Sequence, residues 1–202
     1  PPPPPSPPPP PPAPAAPPPP APRPPRPRPA VSRSLRVAGD EMDQDVVQYV
    51  RNKYNVLIGE RIAEQVKWNI GSAFPLPVER MVEVRGRNLV TGLPESIEIS
   101  SLEIREALSQ SVSVIIDTIK DALDEVPPEI VADLMDTGIC LSGGGALLQG
   151  LAERLSDELN LRAWVAEDPL TCVVRGTGAV LENFRTYDRL LVGLERGSTR
   201  HS

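Results

Sequence analysis

Residues 136–151 read DTGICLSGGGALLQGL, in which a short apolar run meets three consecutive glycines. The run ICL predicts a β-strand, and the leucines after the glycines recur at the spacing of one helix face. A strand, a glycine turn and a helix start form a geometry in which main-chain N–H groups can face a ligand. The stretch therefore predicts an α/β unit with a candidate binding turn at Gly143, Gly144 and Gly145. The leucines expected on that helix, which would run to Asn160, are Leu147, Leu148, Leu151, Leu155 and Leu159.

Several interpretations of this turn compete. A phosphate-binding P-loop requires a Lys followed by Ser or Thr at a fixed spacing, and neither is present. A dinucleotide fingerprint fits Gly143 and Gly145 but meets Leu148 at its third position. Glycines without a Cβ can also let the main chain lie against a planar base or ribose. The structural alternative is a tight strand-to-helix turn, and the residues alone favour these last two interpretations equally.

The composition changes sharply near residue 29. Of the 27 prolines in the chain, 21 fall within the first 29 residues. Proline-rich sequence without apolar periodicity is typical of an extended, solvated segment, so residues 1–33 are predicted to be a disordered arm. We interpret the arm as the product of a misassigned start or of an out-of-register reading frame. The alternative is a scaffold segment that binds aromatic grooves.

Charge divides the chain at nearly the same place. Residues 1–39 carry five arginines and no acid, and the remainder carries 16 basic against 27 acidic residues. An acidic domain lacks the basic stripe of a nucleic-acid groove, so no nucleic-acid partner is expected. The arginines of the arm are expected to keep a polar tail in solution rather than to bind an anionic surface.

The cysteines and the single histidine indicate the compartment and exclude a metal framework. Cys140 and Cys172 stand far apart among apolar neighbours, which predicts reduced core thiols in a cytoplasmic protein. His201 lies in a polar tail, so no metal site is expected. No apolar run approaches the about 18 residues of a membrane span.

Periodicity predicts the elements that precede the glycine turn. The residues LRV at 35–37 predict a strand, followed by a helix that Asp43 caps. A second helix is predicted for residues 60–70, ending at Gly71. Alternating apolar residues in the stretch 82–99, interrupted at Gly86, predict a hairpin.

The rest of the chain carries clear helix start and stop signals. Ser100 and Glu103 form a capping box for a long apolar-striped helix, which Pro127-Pro128 ends. After the glycine turn and its helix, RAWVAE predicts another strand. Asp168 is expected to cap the last helix, with Pro169 at its first position.

The helix at residues 60–70 has an apolar face and a narrow charged ridge. Its apolar residues are Ile62, Ala63, Val66 and Ile70. The ridge consists of Glu60, Glu64 and Lys67. On periodicity alone it is interpreted as a solvated face, with a Glu64–Lys67 pair worth roughly 0.2–0.5 kcal/mol.

Five ordered blocks of the sequence closely resemble the MreB family of bacterial actins, which act in cell-shape determination. The resemblance covers about residues 34–185 and corresponds to the C-terminal half of such a protein, preceded by the unrelated proline-rich segment. The blocks are SLRVAGDEMD, IGERIAEQVKWNIGSA, VEVRGRNLVTGLPESIEIS, LSGGGALLQGL and VAEDPLTCVVRGTGAVLEN.

The resemblance implies an α/β fold: an actin-like (ribonuclease H-like) C-terminal lobe. Residues 34–45 and 101–186 would form its larger α/β subdomain. Residues 46–100 would form a smaller α+β subdomain, inserted into the larger one. A flexible tail is expected at 187–202.

The resemblance also implies a nucleotide site in which adenine and ribose of ATP lie between the glycine turn and the helix of the smaller subdomain. The charged ridge of this helix, which periodicity alone indicates as a solvated face, is therefore expected to contact the nucleotide. The expected contacts are Glu64, Gln65, Val66, Lys67, Gly143, Gly144, Gly145 and Ala146.

The implied function is that of a cytoskeletal filament protein in rod-shape maintenance. In the family, the phosphate loops and the acidic residues that position magnesium belong to the other half of the fold. No catalytic or metal-binding residue is therefore assigned in this chain, and Mg²⁺ is expected only together with that half. Hydrolysis of ATP is not expected from this chain alone. Expected partners are a homopolymer or other MreB-type subunits and membrane adaptor proteins, with membrane association only through them. The alternatives are a nucleotide- or dinucleotide-dependent α/β enzyme that uses the same turn, and the proline-rich scaffold.

Overall fold

The computed structural model describes residues 31–184, which form six α-helices and five β-strands. The helices are α1 (Gly39–Tyr54), α2 (Glu60–Ile70), α3 (Ser101–Asp124), α4 (Pro128–Thr137), α5 (Leu151–Leu159) and α6 (Cys172–Glu182). The strands are β1 (Val56–Leu57), β2 (Met81–Asn88), β3 (Pro94–Ser100), β4 (Ile139–Leu141) and β5 (Ala163–Val165). A short 3₁₀ turn, Gly144–Leu147, follows β4.

The first three strands form an antiparallel sheet with β2 at its centre. The predicted hairpin is confirmed, and its paired residues Val84 and Ile97 are both buried on the core face. The interruption expected at Gly86 is wrong, because β2 continues through it. A Cβ at Gly86 would lie 2.4 Å from Val56 Cγ1 and 2.6 Å from Leu57 O, so this glycine permits the close approach of β1.

The core lies where α1, α2 and α3 pack against one another and against this sheet. α1 contributes Val46 and Val50, and α3 contributes Ile104 and Leu108, all with no exposed surface. Leu155 of α5 joins the same cluster. The apolar stripe predicted for the long helix is thus confirmed at its first two turns.

The start of α3 confirms the predicted capping box. The Ser100 side chain accepts from the Glu103 N–H, and the Glu103 carboxylate accepts from the Ser100 N–H at 2.8 Å. These bonds satisfy two main-chain donors that would otherwise be unpaired at a helix start. The helix ends at Asp124, shortly before Pro127.

The C-terminal part of the described chain is a smaller unit. β4 and β5 pair in parallel, with Cys140 opposite Trp164, and α5 provides the crossover that parallel strands require. α5 packs on β5 and on α3. The two flanking helices, α4 and α6, contain no buried residue.

The expected strand at residues 35–37 and the expected cap at Asp43 are both wrong. Residues 35–37 form no strand, and within residues 31–184 no neighbouring strand pairs with them. α1 begins at Gly39, and the residue before it, Ala38, makes no side-chain cap. Asp43 therefore lies inside the helix, where it is only 8% exposed.

The single helix expected after the glycine turn is in fact divided. Gly150 has φ 74°, a left-handed conformation that ends one helical path, and α5 starts at Leu151. Leu147, expected on the buried face, ends the 3₁₀ turn and is 54% exposed. Leu148, Leu151 and Leu155 are buried as expected.

The expected cap at Asp168 is also wrong. α6 begins at Cys172, and Asp168 instead organises the turn before it. Its main-chain oxygen accepts from the Thr171 N–H at 3.2 Å, and its carboxylate accepts from the Thr171 hydroxyl at 2.5 Å. Pro169 consequently lies in the turn rather than at the first helical position.

Both cysteines are free thiols, but the prediction of core positions is wrong. Cys140 is exposed whereas its neighbours Ile139 and Leu141 are partly buried, because successive side chains of a strand point to opposite faces. Trp164, which lies opposite Cys140 in β5, is also 40% exposed. Cys172 is partly exposed.

The predicted division into subdomains stays a prediction. α1 runs without interruption across the expected boundary at 45–46. The expected tail at 187–202 and residues 1–30 of the expected arm lie outside the described residues. Among the described helices, none has the length and apolar character needed to cross a membrane.

Candidate functional site

The first wall of the predicted site is α2, whose predicted bounds are confirmed. Ala63, Val66 and Ile70 are buried in the core, so the helix is anchored by its apolar face. Gly71 follows directly, and a Cβ there would lie 2.3 Å from the Lys67 carbonyl oxygen. Its missing side chain therefore lets the chain turn sharply away at the end of α2.

The charged ridge of α2 is arranged differently from the solvated pair that periodicity favours. Lys67 Nζ lies 2.8 Å from Asp43 Oδ1 of α1, not against Glu64. The same ammonium donates a hydrogen bond to the Gly39 carbonyl oxygen at 2.9 Å. Lys67 thus joins α2 to the first turn of α1, while Glu64 stays partly buried and Gln65 exposed on the same helix.

Asp43 is a site-associated residue that sequence reasoning assigned to the wrong role. Its spacing to Val46, Val47 and Val50 places it on the apolar face of α1, and the structure buries it there. A carboxylate on an apolar face needs a partner, because an unpaired buried charge is very costly. The position of Asp43 on the apolar face of α1 could therefore have predicted that its carboxylate pairs with a basic residue.

The second wall is the glycine turn, which follows β4 as predicted. Gly143 has φ 84°, a left-handed conformation that favours glycine, and its N–H donates to the Pro169 carbonyl oxygen at 2.7 Å. Gly144 and Gly145 then enter the 3₁₀ turn, in which the following residue, Ala146, is buried. The conformation of the chain therefore accounts for Gly143 but not for the two glycines that follow.

The space beside the turn is open. A Cβ built at Gly143 or Gly145 would meet no protein atom within 4 Å, and one at Gly144 would meet only Leu170 Cδ2 at 3.9 Å. Within residues 31–184, packed aliphatic groups therefore do not fill the space that the glycines leave. A Cβ at Gly145 would therefore not collide with any described protein atom.

A direct main-chain link joins the two walls. The segment after α2 forms a parallel bridge to the segment after the glycine turn at Ser72 and Gln149. At this bridge the Ala73 N–H donates a hydrogen bond to the Gln149 carbonyl oxygen at 2.7 Å. Arg105 of α3 donates to the Ser72 hydroxyl at 3.1 Å and so ties the link to the long helix. The bridge starts two residues after α2 and four after Gly145.

The strongest resolved electrostatic effects lie at the junction of α1 and α3, not at this site. Burial raises the pKa of the Glu103 carboxyl, but contacts with Lys53, Tyr54 and Ser100 outweigh it and lower that pKa to about 2. Burial and then Glu103 raise the pKa of the Tyr54 hydroxyl to about 12. This cluster links α1 to the start of α3.

Comparison with known proteins identifies the family. The sequence profile of the MreB/Mbl protein matches residues 30–189. The chain belongs to the MreB/Mbl family. It is 45% identical over 159 residues to the cell shape-determining protein Mbl of Bacillus cereus, covering 79% of this chain and 47% of Mbl. It is 46% identical over 151 residues to MreB of Escherichia coli, covering 75% of this chain and 44% of MreB.

Solved structures support the same assignment and show an actin-like fold. MreB5 of Spiroplasma citri bound to ADP superposes with a TM-score of 0.75 at 40% identity, covering 78% of this chain and 48% of MreB5. The double helical filament of MamK has a TM-score of 0.57 at 20% identity, covering 67% of this chain and 42% of MamK, and so supports the fold alone. The chain spans about half the length of the MreB/Mbl relatives that it matches.

Proposed function

We propose that this chain is part of a bacterial actin-type cytoskeletal protein that acts in rod-shape maintenance and binds the adenosine part of ATP. Its membership of the MreB/Mbl family supports the cytoskeletal role, since the named relatives are cell shape-determining proteins. The related MreB5 was solved with ADP and with AMPPNP, which supports an adenine nucleotide as ligand. The observation that carries the proposal is the bridge between Ser72, two residues after α2, and Gln149, four residues after Gly145.

In the proposed site the nucleoside lies between the two walls. Glu64, Gln65 and Lys67 supply polar groups from α2, and Val66 anchors this helix through its buried side chain. On the other side the glycine turn presents main chain without side chains. The base or ribose can then approach the backbone at Gly144 and Gly145 closely.

The protein gives no steric reason of its own for glycine at two positions of the turn, and this supports a ligand there. Two of the three glycines have neither a left-handed conformation nor a protein neighbour that a Cβ would disturb. Ala146, the next residue of the 3₁₀ turn, is buried. A ligand that lies flat against the turn gives a physical reason for these missing side chains, whereas packing gives none.

For partners, we propose self-association into filaments with copies of this chain or with other MreB-type subunits. The MamK neighbour was solved as a filament, and it shares the actin-like fold. Membrane adaptor proteins of the shape-determining machinery would be further partners in the cytoplasm.

The test of the nucleotide site uses the full chain and a fluorescent ATP analogue in an equilibrium titration. We expect Gly145→Val to weaken binding at least about tenfold, because its side chain would occupy space meant for the nucleoside. Gly178→Val is the matched control, since Gly178 of α6 also has no protein atom within 4 Å of a built Cβ. Circular dichroism should show both variants folded.

Two outcomes would contradict the proposal. Equal binding by the Gly145→Val and Gly178→Val variants would remove the glycine turn from the site. Tighter binding of NAD than of ATP by the unmodified chain would favour the dinucleotide-dependent enzyme instead.

A further inference from the structure

We propose that Asp43 is a positioning residue for the nucleoside site: it acts through Lys67, whose ammonium it holds at a fixed place between α2 and α1. This inference rests on the proposed function, because it assumes that Lys67 contacts the nucleotide. It concerns a residue outside the eight expected contacts.

The Asp43 oxygen that meets Lys67 is not itself a ligand contact. The residue is 8% exposed, and its Oδ1 atom is completely buried. Lys67 Nζ lies 2.8 Å from that oxygen, a distance typical of a close ion pair. Any effect of this oxygen on a ligand therefore passes through the lysine whose ammonium it meets.

The geometry of the pair leaves hydrogen-bonding capacity on the ammonium. The approach of Nζ to Oδ1 does not have the angles of a hydrogen bond, so Oδ1 supplies mainly charge. One N–H of Lys67 donates to the Gly39 carbonyl oxygen. An ammonium has three N–H donors. The remaining donors can serve a ribose hydroxyl or a base acceptor without breaking the contact with Asp43.

Stability alone is a weak reason for this pair. Removing two charges from water costs several kcal/mol per ion, and buried pairs are often no more stabilising than apolar residues of similar volume. The side chains of Lys67 and Asp43 are only 10% and 11% exposed, so this cost applies here. A flexible four-carbon side chain, on the other hand, needs a fixed counter-charge to hold its ammonium in one place.

The chain contains a matched control on the same helix. Asp45, two residues after Asp43, accepts a hydrogen bond from the Ser111 hydroxyl and joins α1 to α3. Asp43→Asn and Asp45→Asn are the same chemical change, and each weakens one attachment of α1. The Asp43 change alone removes the counter-charge of Lys67.

The first experiment measures the lysine directly, without nucleotide. The chain has three lysines, and Lys53 and Lys120 have side chains 48% and 44% exposed, so they serve as internal references. We expect Lys67 to react with acetic anhydride more slowly than both, measured by mass spectrometry. Asp43→Asn should raise its relative rate at least about threefold, whereas Asp45→Asn and the charge-retaining Asp43→Glu should leave it slow.

The second experiment measures ATP-analogue affinity in a double-mutant cycle. Asp43→Asn should weaken binding about tenfold in the unmodified background and have no further effect in the Lys67→Met background. A residue with a merely structural role would cost the same in both backgrounds. Asp45→Asn should change the affinity less than about twofold in either one.

The outcomes separate this inference from the proposed function. Unchanged labelling of Lys67 in the Asp43→Asn variant would overturn the inference even if ATP binds. A loss of affinity that persists in the Lys67→Met background would also overturn it. Absence of ATP binding, or no effect of Lys67→Met on it, would overturn the proposed function and with it the role of Asp43 at the site.

Discussion

The helices α3 and α6 have comparable apolar faces but opposite surroundings. α3 buries Ile104, Leu108, Val112 and Ile116 against α1, α2, β3 and α5. Several large apolar residues of α6 and its end are exposed: Val173 by 70%, Val174 by 72%, Leu181 by 67% and Phe184 by 52%. An apolar face therefore predicts where a helix can be buried, whereas neighbouring elements decide whether it is.

The same contrast separates two larger parts of the described chain. We call residues 39–124 with α5 the packed cluster, and α4, β4, β5 and α6 the open segment. Most of the buried apolar residues lie in the packed cluster, and the open segment carries many of the exposed ones. Exposed apolar patches of this kind mark contact surfaces or lower solubility. The following predictions test this division.

The largest expected effect is the loss of a buried leucine from the packed cluster. Leu108→Ala should lower the free energy of unfolding by about 2–5 kcal/mol, because it removes fully buried contacts and leaves a cavity. Leu181→Ala, the same change at a 67% exposed position, should alter it by less than about 0.5 kcal/mol. Urea unfolding followed by circular dichroism measures both. Similar losses in the two variants would show that α6 is packed in solution.

A smaller effect is expected from a glycine that permits close strand packing. Gly86→Ala should destabilise the chain by about 1–3 kcal/mol, because its Cβ would overlap Val56 and Leu57 of β1. Gly176→Ala is the contrast in the open segment, where a Cβ meets no protein atom within 4 Å. Within α6 it should favour the helix by about 0.5–1 kcal/mol, visible as slower amide exchange. Destabilisation by Gly176→Ala would contradict the open arrangement.

The smallest effect is a pH dependence that belongs to the packed cluster. Because the pKa of Glu103 is about 2 in the folded chain and about 4.3 when unfolded, its ionised form stabilises the fold. This contribution is complete above about pH 5, declines as the pH falls below about 4.3, and is lost as the pH passes through about 2. We expect Glu103→Gln to remove about 1 kcal/mol at pH 7, of the order of a lost helix cap.

The pH prediction is measured by urea unfolding between pH 7 and pH 3. The difference between the unmodified chain and Glu103→Gln should shrink as the pH falls. Glu106→Gln is the control, since the Glu106 carboxylate of α3 accepts a hydrogen bond from the Tyr49 hydroxyl of α1 at 2.8 Å and takes no part in the capping box. A difference independent of pH would show that Glu103 acts through packing rather than charge.

Local signals were sufficient for much of the fold. The bounds of α2, the capping box at Ser100 and Glu103, and the hairpin depend on residues close in sequence. They were predicted because helix ends and strand alternation are properties of short segments. Where distant groups compete, as at Asp43, the expected cap was wrong.

In the candidate site, too, some features could be predicted from the sequence and others could not. Its eight expected residues came from a family resemblance, and the spacing of the glycines alone left a tight turn equally favoured. The bridge between Ser72 and Gln149 could not be predicted, because it joins segments 77 positions apart. The spacing of Asp43 gave a signal of burial but did not name Lys67 as its partner.

The sequence by itself determined the membership of the MreB/Mbl family, the main helices and the glycine turn, because these depend on local order and composition. Only the tertiary structure decided that Lys67 pairs with Asp43 and that the segment after α2 is bridged to the segment after the glycine turn. It also decided that α6 buries none of its residues. The physical reason is that burial and ion pairing are set by the groups that meet in space. Local sequence restricts those meetings without specifying them.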